Sequence, residues 1–368
     1  MLACYPISAT QENWLHDALV SLVRAVHQRI IDNNPITKSQ ACWIDIMPSS
    51  LTDEQKIKIQ RRTGIRDRLY DYSEKVKLLT SQERLDVLTA LERQNQIPEL
   101  LSNQLAPISI RQRFPLAHEK ARDLFVFSYE KLTDFKIRER QYQIVFNSID
   151  NKFCIFCGLE RLMNPAETAQ DQDHYLSKSE YPFSAVNMRN LVPMCRCCNR
   201  DFKEDKNLLL DEQSNLRPAF DPYGNVTIEV SLTSSSLDNQ TSPPKPDWDI
   251  AFIPARPEIA AWDEVFSIRE RYKRDALNQY FTTWLRVFTD KCARRRRDRD
   301  ISPALDFEGV RGVLARYYED QVEDHKVGVN FLEPYVFEFL LTKYDAEEPR
   351  VVNLIRDAVL GIDLEEIA

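Results

Sequence analysis

The sequence predicts a mainly α protein with a small α+β core, in which a central module lies between helical domains. Three observations carry that expectation. Apolar residues recur at three- and four-residue spacing toward both ends of the chain, the mark of helices with one buried stripe. There are only 7 glycines and 29% charged residues, a balance that favours helices over tight hairpins. Between residues 150 and 232 the pattern changes to shorter segments that contain two Cys-x-x-Cys pairs.

A length of 368 residues suggests about two or three domains. The divisions expected are a helical domain over 1–145, the cysteine-bearing module over 146–232, a linker or long loop over 233–257, and a second helical domain over 258–368. Within the first, Trp14, Leu15, Ala18, Leu19, Leu22, Val23, Val26 and Ile30 form one stripe of a helix over 12–33. His16 and His27 lie on it without a sequence partner and receive no function. The helical pattern continues over 51–79 and 81–101. Thr80 followed by Glu83 resembles a capping box, with Leu85, Leu88 and Leu91 as the apolar stripe behind it. Pro98 ends or kinks that element. After Pro115 one long helical pattern runs to about Asn147, and its aromatic residues read as core.

Thr227 to Leu232 reads as a strand, and the Ser- and Pro-rich stretch 231–246 as a loop. Helical periodicity returns in 265–293, 307–324, 331–344 and 351–360. His118 and His325 stand alone and are assigned nothing.

Composition excludes several classes. A net charge of −8 argues against a protein that binds nucleic acid by bulk positive charge. Eight cysteines are too few for a secreted disulfide scaffold of this length. Four of them in metal-binding spacing fit a reducing, cytoplasmic setting. The opening Met-Leu-Ala-Cys-Tyr-Pro lacks a basic segment followed by an apolar run, so no signal peptide is expected. No apolar run reaches the roughly 18 residues of a membrane span.

The stretch from Cys154 to Lys203 holds the chemistry. Cys154/Cys157 and Cys195/Cys198 are two knuckles that present four thiolates to one tetrahedral zinc ion. Four thiolates close the coordination sphere, so that zinc is structural. Cys197, inside the second knuckle, is a spectator. Between the knuckles runs Asp171-Gln172-Asp173-His174. On a strand, Asp171 and Asp173 would share a face and His174 would point the other way. His174 can accept a proton near neutral pH. Asp173 offers hard oxygen to Mg²⁺, and Asn199, directly after Cys198, offers an amide oxygen. Asp171 either tunes this site or faces solvent. A carboxylate and an amide on one hard ion beside a histidine suit phosphodiester hydrolysis.

This stretch resembles the zinc-containing HNH endonuclease family, with its ββα-metal fold. The matching pattern is Cys-Ile-Phe-Cys-Gly, then Asp-Gln-Asp-His, then Asn190-Leu-Val-Pro-Met-Cys195-Arg-Cys-Cys198-Asn199-Arg-Asp-Phe-Lys203. The resemblance covers roughly 60 of the 368 residues, with spacing, order and residue type in agreement. It implies that His174 is the general base and that Asp173 and Asn199 are ligands of a catalytic divalent ion. It further implies that Asn190, rather than Asn187, holds the loop and the histidine in place, and that Lys203 lies near the phosphate backbone. Ser177 stands where the family usually has proline. Tyr181-Pro182-Phe183 and Phe220-Asp221-Pro222-Tyr223 also resemble HNH proteins of bacterial anti-phage defence loci. Among these is the HNH component of Septu-type systems, which implies an ATPase partner.

The expectation is therefore a metal-dependent nuclease, with DNA ahead of RNA as substrate. The alternative is a zinc module that binds nucleic acid or a partner protein without cutting. Lys291, Arg294, Arg295, Arg296, Arg297 and Arg299 form a dense basic run. It reads either as a solvated helix end or as a surface that contacts phosphates.

Overall fold

The computed structural model describes residues 4–167, 170–238, 245–298, 300–302, 305–324 and 326–360. Helix accounts for 58% and strand for 6%, which is the mainly helical class the periodicity predicts. Contacts divide the chain into two compact units. One comprises Cys4–Lys152 and Leu162–Val226; the other comprises Phe153–Arg161 and the chain from Thr227 onward.

The first unit begins with eight helices: α1 (Trp14–Ile31), α2 (Gln40–Asp45), α3 (Asp53–Gln60), α4 (Thr63–Val76), α5 (Ser81–Gln94), α6 (Ile97–Leu101), α7 (Pro115–Asp134) and α8 (Ile137–Ser148). Two short strands follow, β1 (Gln172–His174) and β2 (Leu191–Pro193), paired antiparallel with Asp173 opposite Val192 and His174 opposite Leu191. A π-helical turn, Cys197–Lys203, comes next.

Local sequence explains most helix starts. Thr80 accepts from the Glu83 amide, and the Glu83 carboxylate accepts from the Thr80 amide, closing the expected capping box. Thr52 and Gln55 make a second one. Pro98, expected to end or kink an element, sits in the first turn of α6, where its missing N–H costs nothing. The stripe of α5 is shifted from the expected one. Leu85 is exposed, while Val87, Ala90, Leu91 and Gln94 are buried. Gln94 can be buried because its amide donates to the Ile108 carbonyl and accepts from the Phe183 amide.

The long helix expected over 115–147 is two. Lys136 adopts φ 58°, which breaks the ladder between α7 and α8. Both halves bury apolar residues, so periodicity continues across a single left-handed residue and cannot show it. One hydrophobic core runs from Leu15 and Leu22 on α1 through Leu124 and Phe125 on α7 to Phe183, Val186 and Leu191. Phe125 meets Phe183 edge-on, with centroids 5.5 Å apart.

The second unit starts with the knuckle around Cys154. Trp262 donates to the Phe156 carbonyl and Tyr272 to the Cys157 carbonyl. Four short strands lie in the stretch read as a strand and a loop: β3 (Glu229–Ser231), β4 (Ser236–Leu237), β5 (Pro246–Asp247) and β6 (Ala251–Ile253). They pair β3 with β6 and β4 with β5, both antiparallel. Residues 239–244 of the expected loop lie outside the described residues.

The helices are α9 (Pro257–Phe266), α10 (Ile268–Arg271), α11 (Asn278–Arg297), α12 (Phe307–Glu323), α13 (Glu333–Asp345) and α14 (Pro349–Leu360). Ser267, at φ 50°, separates α9 from α10, where the sequence shows unbroken periodicity. A π-helical segment, Tyr272–Leu277, then leads into α11. Among the described residues, no helix is long and apolar enough to cross a membrane.

Candidate metal centre and acid–base cavity

Cys154, Cys157, Cys195 and Cys198 are all buried, and their sulfur atoms lie within 4.8 Å of one another. Tetrahedral zinc with bonds of about 2.3 Å would hold its sulfurs roughly 3.8 Å apart, so the set fits one such ion. The second knuckle is partly organised without it: the Cys198 amide donates to the Cys195 sulfur over 3.4 Å. Cys197 is only half-buried and is not among the four.

The strand β1 places the remaining candidates. His174 is buried, and its Nε2 lies 3.0 Å from the Ala185 carbonyl. A carbonyl accepts only, so Nε2 carries the proton and Nδ1 keeps the lone pair. The ring lies against Tyr129, centroids 4.4 Å apart. Burial lowers the His174 pKa to about 3, with Lys178 adding in the same direction, so the ring is neutral at physiological pH.

Asp173 is buried too. Burial raises its pKa, and the adjacent Lys203 opposes that shift. Lys203 Nζ stands 2.8 Å from Asp173 Oδ2 and donates to the His174 carbonyl over 3.2 Å. Lys203 is 1% exposed, which keeps its ammonium inside the protein and away from the bulk solvent. Asp171 is separate from this pair. It pairs with Arg200 over 2.7 Å at a half-exposed position.

Asn190 is wholly buried and ties the loop between the strands. Its Oδ1 accepts from the Leu176 amide at 2.7 Å, and its Nδ2 donates to the Leu176 and Ser184 carbonyls. The backbone continues the tie, with the Tyr175 amide donating to the Asn190 carbonyl. Asn187 instead bonds Asn95 and the Arg189 amide. Ser177 bonds Ser179.

Asn199 and Lys203 both belong to the π-helical turn, four residues apart. At about 4.4 residues per turn that spacing puts them on one face. Asp173, His174, Asn199 and Lys203 line one cavity of about 350 Å³. The cavity is also lined by residues that the sequence did not single out, among them Arg122, Tyr129, Lys178, Glu204 and Asp205. Arg122 and Tyr129 come from α7, seven residues apart on one helix face. Nothing in the cysteine-bearing stretch points to them, because they reach it only through folding. Lys178 follows His174 by four residues, inside the cysteine-bearing stretch itself.

The arginine run belongs to the second unit. Arg294 to Arg297 form the last turn of α11, where positive charge complements the helix dipole. Arg294 and Arg295 line a depression of about 180 Å³ with Tyr317 and Asp320. Lys291 lies 4.8 Å over the Tyr317 ring. Arg299 lies outside the described residues.

Compared with known proteins, the chain matches no family model, no curated protein and no solved structure.

Proposed function

We propose that this chain is a metal-dependent HNH endonuclease that hydrolyses nucleic-acid phosphodiesters, DNA ahead of RNA, with structural zinc in the four-cysteine cluster. The observation that supports it best is that Asp173, His174 and Asn199 line one cavity, with the tautomer of His174 fixed by Ala185. A carboxylate and an amide beside space for water form the hard-oxygen donor set that Mg²⁺ accepts. Asp173 and Asn199 would hold the ion, which when bound would offset charge on the phosphate and the leaving oxygen.

The protein's own residues do the rest. Neutral His174 takes the proton of the attacking water at Nδ1 as the water oxygen bonds to phosphorus. The bond from phosphorus to the 3′ oxygen breaks and that oxygen takes a proton from solvent, which gives the 5′-phosphate and 3′-hydroxyl products that the family resemblance implies. Asn190 keeps the loop that carries Ala185, and so the histidine's partner, in position.

The deciding experiment is plasmid cleavage in Mg²⁺ by the wild type and by His174→Ala. Loss of cutting in the variant is expected, and equal cutting by both would reject His174 as the base. The buried Lys203–Asp173 pair favours a second reading, because it occupies a carboxylate oxygen that a catalytic ion would want. In that reading the module binds nucleic acid or a partner protein without cutting, and both proteins would be inert in the assay. Action in the cytoplasm with an ATPase partner, as an effector of anti-phage defence, belongs to the same proposal. Co-purification of an ATPase that switches cleavage on would support it. Contact between nucleic acid and Arg294, Arg295, Arg296 and Arg297 is likewise proposed, from their charge density alone.

A further inference from the structure

We propose that Lys178 and Arg122 form the anion-binding pair that seats a phosphodiester of the nucleic acid against His174, a role that neither the motif nor its resemblance assigns to them. The inference rests on the nuclease reading of the same cavity and names what grips its substrate.

The cavity is lined by the cations Arg122, Lys178 and Lys203 and by the carboxylates Asp173, Glu204 and Asp205, and the structure separates the cations already paired from those at liberty. Lys203 is held by Asp173 and by the His174 carbonyl and is 1% exposed. An ammonium so committed cannot also reach a phosphate in solvent without leaving its partner unpaired. Lys178 and Arg122 differ. Both line the cavity, Lys178 half-buried and Arg122 exposed, and neither makes an ion pair among the described residues.

Lys178 has an aromatic ring and a second cation beside it. Lys178 Nζ sits 5.6 Å over the Tyr129 ring, and that ring also packs on His174. A group bound at Lys178 is therefore one aromatic ring away from the proposed base. The two cations repel each other: the Lys178 pKa is lowered, by burial first and by Arg122 next. A phosphodiester between them relieves that repulsion and accepts charge-assisted hydrogen bonds from both. Arg122 offers a planar fork and Lys178 a point charge, so the pair can take two non-bridging oxygens of one phosphate. The α7 helix supplies Arg122 and Tyr129 from one face, which fixes their spacing on a rigid element.

The test measures binding apart from cleavage. A short fluorescein-labelled DNA duplex is titrated in Mg²⁺-free buffer, over a range of salt, against wild type, Lys178→Gln, Arg122→Gln, the double variant and Lys178→Arg. Neither side chain is fully buried, so unchanged thermal unfolding confirms that the variants fold. Each neutral variant is expected to weaken binding about tenfold and to reduce the salt slope by about one. Lys178→Arg is expected to recover most of the affinity. If the wild type binds and the double variant binds equally with the same salt slope, the proposal is overturned while the nuclease reading stands. If the wild type neither binds the duplex nor cuts plasmid, both fall.

Discussion

Lys203 and Asp173 form an ion pair 2.8 Å long inside the protein, with side-chain exposures of 1% and 8%. Mutual attraction offsets part of what burial costs each charge, so loss of either partner leaves a charge stranded. Lys203→Met is expected to destabilise the protein by about 3–5 kcal/mol. Asp173→Asn combined with Lys203→Met should cost far less than the two single changes added together. A double-mutant cycle in urea measures the coupling directly. Additive losses would mean that the two charges do not support each other.

Asn190 satisfies both the amide and the carbonyl of Leu176 from a fully buried position. Alanine there leaves those backbone groups without partners and without water. The expected cost is about 3 kcal/mol, from roughly 1–3 kcal/mol for each stranded group. Chemical denaturation of Asn190→Ala checks the figure, and a loss below about 1 kcal/mol would show that the loop finds other partners.

The four-cysteine cluster predicts one zinc per chain by elemental analysis of protein purified without chelator. Cys198→Ser should lower that content and bring the unfolding midpoint down by about 10 °C, because binding energy in such a site is folding energy. Cys197→Ser should change neither, since Cys197 is not among the four. Zinc retained in full by Cys198→Ser would remove the cluster from consideration as its site.

Two histidines on α1 predict acid sensitivity. Burial lowers the pKa of His16 to about 3, with Arg24 assisting, and that of His27 to about 4, with Arg84 assisting. Unfolded, both titrate near 6.5, so below that pH the unfolded chain binds protons that the folded chain refuses. Stability is thus unaffected above about pH 6.5 and falls as the pH drops toward 4, by about 1.4 kcal/mol per unit for each histidine. His27→Gln should flatten the slope of urea midpoint against pH between 6 and 4.5. An unchanged slope would place the acid sensitivity in other groups.

What the sequence determined by itself was local. Spacing marked the helices, Thr80 with Glu83 marked a helix start, and two knuckles marked the four cysteines that the fold gathers within 4.8 Å. These signals are legible because each depends on neighbours a few residues apart. The splits at Lys136 and Ser267 escaped, because one left-handed residue leaves the apolar rhythm on both sides intact. Tertiary structure alone decided who shares the cavity of His174. It turned Lys203 inward onto Asp173, and it carried Arg122 and Tyr129 from α7 to the same cavity. Side chains so far apart in sequence meet only when one core forms from Leu15 to Leu191, and no local pattern encodes where its two ends come to rest.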